Sequence, residues 1–393
     1  MMKISRFKRI CVVTGSRAEY GLLKNLLFLI KKENSFRLQL IVTGSHLSKK
    51  HGLTVKNIIK DRFKIKKKIN LKLNKDDAHS LANSMSLGLS KLVRVFETNK
   101  PDIIILLGDR YEIFLASLAA TLSRVPIGHI HGGEITKSLI DEAFRHSISK
   151  MSHLHFTATH EYKKRVIQMG ESPKNVHCVG GLGVDNIKTT RLYSKLDLEK
   201  KLNIKFLKKI VIVTYHPETL KKESSEKNIT NLFKALEIIK KDTTVIFTMP
   251  NSDIESMVLY KKILKFTSKN KNFYLFKSLG QKKYYSCCKY SDFMIGNSSS
   301  GLLEMPTFKK FTINIGERQS GRMKAKSVID CRANTMDIKK AIKFVLKLKN
   351  KKKIRDVLNP YGTGGASKKI FNILKKKRFN NLILKEFYNI KFK

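Results

Sequence analysis

Short apolar runs alternate with segments of helical spacing along nearly the whole chain. In the first half, the runs predicted as strands are 10–14, 38–43, 103–108, 127–131, 153–157 and 176–179. Between them, Leu22, Leu23, Leu26, Leu27 and Ile30 recur every three or four positions, as do Leu81, Met85, Leu89, Leu92 and Phe96. That spacing gathers the side chains on one buried helix stripe. Strand runs that stay apolar throughout, with no polar alternation, belong to sheets covered on both faces. Repeated β-α-β units of this kind predict a parallel sheet with helices on both sides.

Residues 195–209 are lysine-rich with little apolar periodicity, which predicts a hinge. The alternation then resumes, with strands expected at 210–214, 244–249, 273–276, 293–296 and 311–315 and helical patterns at 229–239 and 338–348. The expected fold class is α/β, with two doubly wound Rossmann-like domains at 1–185 and 209–358, a linker at 186–208, and a C-terminal segment at 359–393. Ligands of such sheets sit beyond the carboxyl ends of the strands. With two domains in tandem, the expected site is the cleft between them.

Composition narrows the classes. The 393 residues are 41% hydrophobic, too apolar for a disordered chain. Neither the run at 10–13 nor that at 103–107 is long enough for a signal-peptide core or a membrane helix. Five cysteines without a C-x-x-C pair argue against a disulfide scaffold and fit a reducing compartment. A soluble, cytoplasmic protein without membrane attachment is expected. The 80 Lys and Arg against 31 Asp and Glu give a net charge of +49, which invites a nucleic-acid reading. The lysine runs are scattered, however, with no basic arm, zinc finger or aromatic-interleaved basic strand. No specific nucleic-acid partner is expected, only unspecific adhesion to polyanions.

Candidate chemistry falls at the predicted strand ends. Gly15-Ser16-Arg17-Ala18-Glu19-Tyr20-Gly21 leads from the first strand into the first helix, where free N–H groups and Arg17 suit an anion. It matches neither the P-loop nor the dinucleotide fingerprint. Gly108-Asp109-Arg110-Tyr111-Glu112 follows the most apolar run; Asp109 there is either a helix cap or an acid/base group. The densest cluster is His129-Ile130-His131-Gly132-Gly133-Glu134 with Asp141-Glu142 and Arg145-His146. His129, His131 and Glu134 could be read as a metal set, but no H-E-x-x-H follows and acid/base work accounts for the carboxylates, so no metal is expected. In the second half, His216-Pro217-Glu218 ends a strand, and Asn297-Ser298-Ser299-Ser300-Gly301 precedes Glu304. The serine-glycine turn suits phosphate, Glu304 could accept from ribose hydroxyls, and Arg318 and Arg322 could neutralise the same phosphates.

In this order, the motifs resemble the hydrolysing UDP-N-acetylglucosamine 2-epimerase family of bacterial sialic-acid and related nonulosonic-acid pathways. The resemblance runs over about residues 9–372 and includes the closing Asn359-Pro360-Tyr361-Gly362 and Ala366-Ser367. It implies a GT-B-like domain pair, UDP held mainly by the second domain, and a C-terminal helix crossing back to the first. It further implies elimination of UDP to a glycal, then hydration to the free 2-epimeric sugar, without a redox cofactor, in what is expected to be a homo-oligomer. Carried over by position, Asp109, Glu134, Asp141, His216 and His131 form the catalytic set. Arg17, Ala18, Gly21, Arg110, Arg145, His146, Asn297, Ser298, Ser299, Ser300, Glu304 and Arg318 hold the substrate. Some relatives carry a carboxylate where this chain has His131. Lys137-Ser138-Leu139 and Thr363-Gly364-Gly365 also depart from the family pattern. The first departure leaves open UDP-N-acetylglucosamine or a UDP-2,4-diacetamido-trideoxy sugar as substrate. A non-hydrolysing epimerase and a GT-B glycosyltransferase are the alternatives.

Overall fold

A computed structural model describes residues 7–49, 52–71, 77–136, 140–217, 225–250 and 256–391. The chain forms two compact units. The first comprises residues 1–134, 141–186 and 364–393, and the second 135–140 and 187–363.

The first unit holds strands β1 (Lys8–Thr14), β2 (Phe36–Thr43), β3 (Ile65–Ile69), β4 (Ile103–Leu107), β5 (Ile127–Ile130), β6 (Leu154–Thr157) and β7 (Val176–Cys178). Its helices are α1 (Arg17–Lys32), α2 (Val55–Lys60), α3 (Ala78–Asn99), α4 (Tyr111–Leu122), α5 (Asp141–Met151), α6 (His160–Gln168) and α7 (Leu182–Thr189), the last reaching past the boundary at residue 186. The strands form one parallel sheet in the order β3-β2-β1-β4-β5-β6-β7. Period-two alternation sorts the core into two layers. Ile10 and Val12 of β1 pack with Leu23, Leu26 and Leu27 of α1. Their neighbours Cys11 and Val13 face Leu92 and Phe96 of α3 and Ile113 and Ala116 of α4 on the other side.

The second unit holds α8 (Lys195–Leu202), β8 (Lys209–Thr214), α9 (Ser225–Leu236), β9 (Thr243–Thr248), α10 (Ser256–Ser268), β10 (Phe273–Phe276), α11 (Gly280–Tyr290), β11 (Phe293–Gly296) and α12 (Ser300–Leu303). After these come β12 (Phe311–Ile315), β13 (Val328–Cys331), α13 (Thr335–Leu346) and α14 (Leu348–Lys353). Its parallel sheet runs β10-β9-β8-β11-β12-β13. In each sheet the order reverses beside the unit's first strand, between β1 and β4 and between β8 and β11. Loops diverge at such reversals and leave a crevice beyond the strand ends.

Three elements differ from the sequence expectation. The predicted hinge at 195–209 contains α8, capped by Ser194 and anchored by buried Leu198, Leu202 and Phe206. One buried leucine per turn, Leu198 and Leu202, suffices to dock it, and its lysines are exposed. Strand β3 (Ile-Lys-Lys-Lys-Ile) was hidden by its charge; it is an edge strand whose three lysines are exposed, a common way to blunt an edge. Strand β13 is likewise an edge strand, only partly buried.

The chain returns to the first unit in α15 (Ala366–Lys376). The backbone N–H groups of Gly365 and Ser367 donate to Asp185, at 2.7 and 3.0 Å. Ile370, Leu374, Phe379 and Leu382 then join the layer that contains Ile10 and Val12. Further on, the Lys385 ammonium reaches Glu171 at 3.0 Å, where Lys150 and His155 also bond, at 2.8 and 3.1 Å. Burial opposes the Glu171 charge, but bonds from His155, Lys150 and Lys385 outweigh it and hold its pKa down to about 2. A carboxylate depressed on folding adds stability above its unfolded pKa, near 4.5, and loses it as pH falls toward 2. Glu171→Gln should therefore cost about 2 kcal/mol at pH 7. Urea titrations from pH 7 to pH 3 should show that difference shrinking.

Candidate active site

In the first unit the candidate residues gather at the carboxyl ends of β4 and β5. Arg145, on α5 and almost fully buried, is the hub. Its Nε donates to Asp109 Oδ2 at 2.8 Å, and its Nη2 reaches the same oxygen. Nη1 donates to the Glu134 carbonyl at 3.0 Å and to Glu142 at 2.9 Å. Burial alone would lower the Arg145 pKa, but the charges of Asp109, Glu134 and Glu142 overcome it and raise it. Arg145, expected to hold substrate, bonds the Asp109 and Glu142 carboxylates and the Glu134 carbonyl.

His131 follows β5 with φ at +68°, in the left-handed region that non-glycine residues rarely occupy. Its Nε2 accepts from the Leu182 N–H at 3.5 Å, which leaves the proton on Nδ1 to donate to Glu134 at 3.2 Å. His129 is separate from this pair: its nitrogens meet Ser149 Oγ at 3.0 Å and the Gly108 carbonyl at 2.8 Å. Burial lowers its pKa to about 3, so the ring is neutral. Asp141 opens α5, partly exposed, and His146 one turn on bonds Glu142 at 3.1 Å. Residues 137–139, where the sequence departs from the family, lie outside the described residues, as does Glu218.

At the end of β1, Ser16 caps α1 and accepts from the Glu19 N–H, while Glu19 accepts from the Gly15 N–H at 2.8 Å. Arg17 and Ala18 are exposed on the first turn. The Gly21 carbonyl, expected near the substrate, accepts from Asn186 at 2.8 Å and so ties α1 to α7.

The second unit gathers its candidates at the ends of β8, β11 and β12. Asn297 is fully buried; its side-chain oxygen accepts from the His216 N–H at 2.7 Å, and its amide donates to the His216 carbonyl at 2.9 Å. The Asn297 carbonyl in turn accepts from Gln319 at 2.8 Å and Arg318 at 3.4 Å. Its polar atoms brace three loops. Burial, with Arg318 nearby, drives the His216 pKa well down and keeps that ring neutral. Ser298 and Ser299 are partly exposed, and their backbone N–H groups meet no acceptor among the described residues. Helix α12 has only four residues, so its dipole is small, and the donors this turn presents are the two N–H groups, with Arg318 close by. The Glu304 carboxylate accepts from Ser300 and, at 3.1 Å, from Tyr285, and burial raises its pKa. Each carboxylate oxygen keeps a second lone pair for a ligand hydroxyl.

The motifs named above contain Glu142, which shares the Arg145 hub, and Glu19 and Glu112, which are buried near the end of β1, but give none of the three a role. A capping-box reading of Ser16-x-x-Glu19 would have found one of them. Nothing local in the sequence shows that Glu112, the last residue of its motif, is buried.

The profile of the UDP-N-acetylglucosamine 2-epimerase family matches residues 29–375. The chain is 44% identical over 331 residues, 84% of this chain and 86% of the relative, to a GDP/UDP-N,N'-diacetylbacillosamine 2-epimerase (hydrolyzing) of Campylobacter jejuni. It is 40% identical, over 98% of both chains, to the polysialic acid biosynthesis protein P7 of Escherichia coli. In fold it is similar to UDP-GlcNAc 2-epimerase of Neisseria meningitidis, solved with UDP-GlcNAc, at a TM-score of 0.79 and 20% identity over 94% of this chain and 100% of that one. Among the described residues no helix is long and apolar enough to cross a membrane. With the profile covering most of its length and relatives at 40% identity or more, the chain belongs to the UDP-N-acetylglucosamine 2-epimerase family.

Proposed function

We propose that the protein is a hydrolysing 2-epimerase that releases a free 2-epimeric acetamido sugar and UDP from a UDP-linked 2-acetamido sugar. The observation that carries the reading is the gathering of the Asp109 and Glu142 carboxylates and the Glu134 carbonyl on the buried Arg145 at the carboxyl ends of β4 and β5. The C2 hydrogen of the sugar is a weak acid, so its removal needs a carboxylate fixed in place. Arg145 fixes Asp109, and His131 fixes Glu134. Asp141, at the start of the same helix as Arg145, completes the proposed acid/base set.

The reaction balances without a redox partner. A carboxylate takes the C2 proton as the C1–O bond breaks, giving a C1=C2 double bond and UDP. Water then adds its oxygen at C1, and a proton returns to C2 from the opposite face. Charge grows on the leaving diphosphate, and preorganised donors stabilise it most effectively. Arg318, Arg110 and the N–H groups of Ser298 and Ser299 are assigned that work, with Arg17 at the α1 start. Neutral His216 assists without adding charge, and Glu304 takes the ribose hydroxyls.

The relatives at 44% and 33% identity carry the diacetylbacillosamine name, which favours UDP-2,4-diacetamido-2,4,6-trideoxyglucose as substrate. The 40% relative named for polysialic acid favours UDP-N-acetylglucosamine. Incubation with each sugar in deuterated water, with product NMR, tests both choices. The expected product is the free 2-epimer with deuterium at C2, formed without added nicotinamide. Retained hydrogen at C2 would rule out elimination, and a product still joined to UDP would mean the non-hydrolysing reaction.

A further inference from the structure

Asp109 and Arg110 are consecutive but diverge, Asp109 to Arg145 and Arg110 to Glu112. Glu112 sits in the first turn of α4 with its side chain wholly buried. Its Oε2 accepts from Arg110 Nε at 3.3 Å, and its Oε1 has no partner among the described residues. The Arg110 guanidinium also lies over the Tyr111 ring, 5.8 Å from its centre. Two glycines make room for the carboxyl. A Cβ at Gly15 would stand 3.0 Å from Glu112 Cβ, and one at Gly44 would stand 2.5 Å from Glu112 Oε1. The loops after β1 and β2 are thus kept free of side chains where Glu112 lies, an arrangement with no purpose for an ordinary helix-start acid, which would face water.

We propose that Glu112 is a positioning residue that fixes the Arg110 guanidinium for the leaving diphosphate. The proposal rests on the function assigned above and deepens it. A second carboxyl tunes the hold. Glu19 is buried beside Glu112, and burial, then the Glu112 charge, pushes its pKa up to about 7. The charged and titratable groups facing Glu19 are Glu112, Arg110 and Tyr111, with Ser16 and the Gly15 N–H on its own side. With Glu19 protonated, Glu112 is the one of the two carboxyls that balances Arg110. As pH rises and Glu19 ionises, a second negative charge appears and opposes an incoming phosphate.

The test is steady-state kinetics and UDP calorimetry on the full chain. Glu112→Ala should raise KM and the UDP dissociation constant tenfold or more, with kcat moving less than KM. Glu112→Gln, close in shape, should give a smaller rise, and Glu112→Asp should partly restore wild-type values. Wild-type KM should climb from pH 6.5 to 8, and Glu19→Gln should flatten that climb. A merely structural role would lower the active fraction and kcat while leaving KM and its pH profile alone, and would overturn the proposal. If Glu112→Ala does not fold, Glu112→Gln decides: KM within twofold of wild type overturns the proposal. Unaffected variants of an active enzyme sink this inference alone, whereas a wild type inactive on both sugars sinks the function itself.

Discussion

Asp109→Asn should lower turnover about a thousandfold, the scale of a lost acid/base group, while UDP affinity stays within threefold. Asparagine keeps the shape and can still accept from Arg145, so the hub stays assembled around Glu134 and Glu142. The change removes the negative charge, and with it a base able to take a weakly acidic proton. UDP contacts are assigned to other residues, among them Arg318 and the serine turn. Arg318→Ala should do the reverse, weakening UDP binding more than tenfold. Product release followed by NMR, with calorimetry for UDP, separates the two effects. Near-normal turnover in Asp109→Asn would remove Asp109 from the catalytic set.

Gly296→Ala is expected to prevent stable folding of the second unit, a loss of more than about 4 kcal/mol. Gly296 ends β11 with φ at +140°, and an added Cβ would stand 1.9 Å from the Thr214 carbonyl oxygen. That carbonyl belongs to the neighbouring strand β8 and accepts the Asn297 N–H at 3.1 Å. Relief would require the central strand pair to part, and with it the bonds between Asn297 and His216. Gly52 is the control: its φ is +83°, but a Cβ there meets nothing within 4 Å. Gly52→Ala should cost only the backbone penalty, about 1 kcal/mol. Chemical denaturation of both variants measures the contrast, and equal losses would show that crowding against Thr214 is not the cause.

The fold was legible where burial on both sheet faces left a continuous apolar run, as in Ile103–Leu107. It was hidden where a strand lay at an edge. The three lysines of β3 read as a solvated charge run, although the backbone between Ile65 and Ile69 pairs with β2. Helix α8 was missed because Leu198 and Leu202 alone carry its packing. At the candidate site, the strand-end motifs pointed to Asp109, Glu134 and His216, which lie in the loops after β4, β5 and β8. The partners of Arg145 and Asn297 were not readable, since they depend on which loops meet. The burial of Glu112 was unreadable for the same reason: the glycines that admit it lie 97 and 68 positions earlier, at Gly15 and Gly44.

The layer shared by β1 and α15 bears on how the polypeptide is made. Ile10 and Val12 are translated before residues 187–363, but Ile370 and Leu374, which join the same buried layer, are translated only after them. The opening half of the product must therefore wait, with part of its oily interior bare, while roughly 180 residues fold downstream between Asp185 and Gly365. Synthesis halted just past that interval would leave a finished second unit and an unclosed first one, a species prone to clumping and a natural client for chaperones.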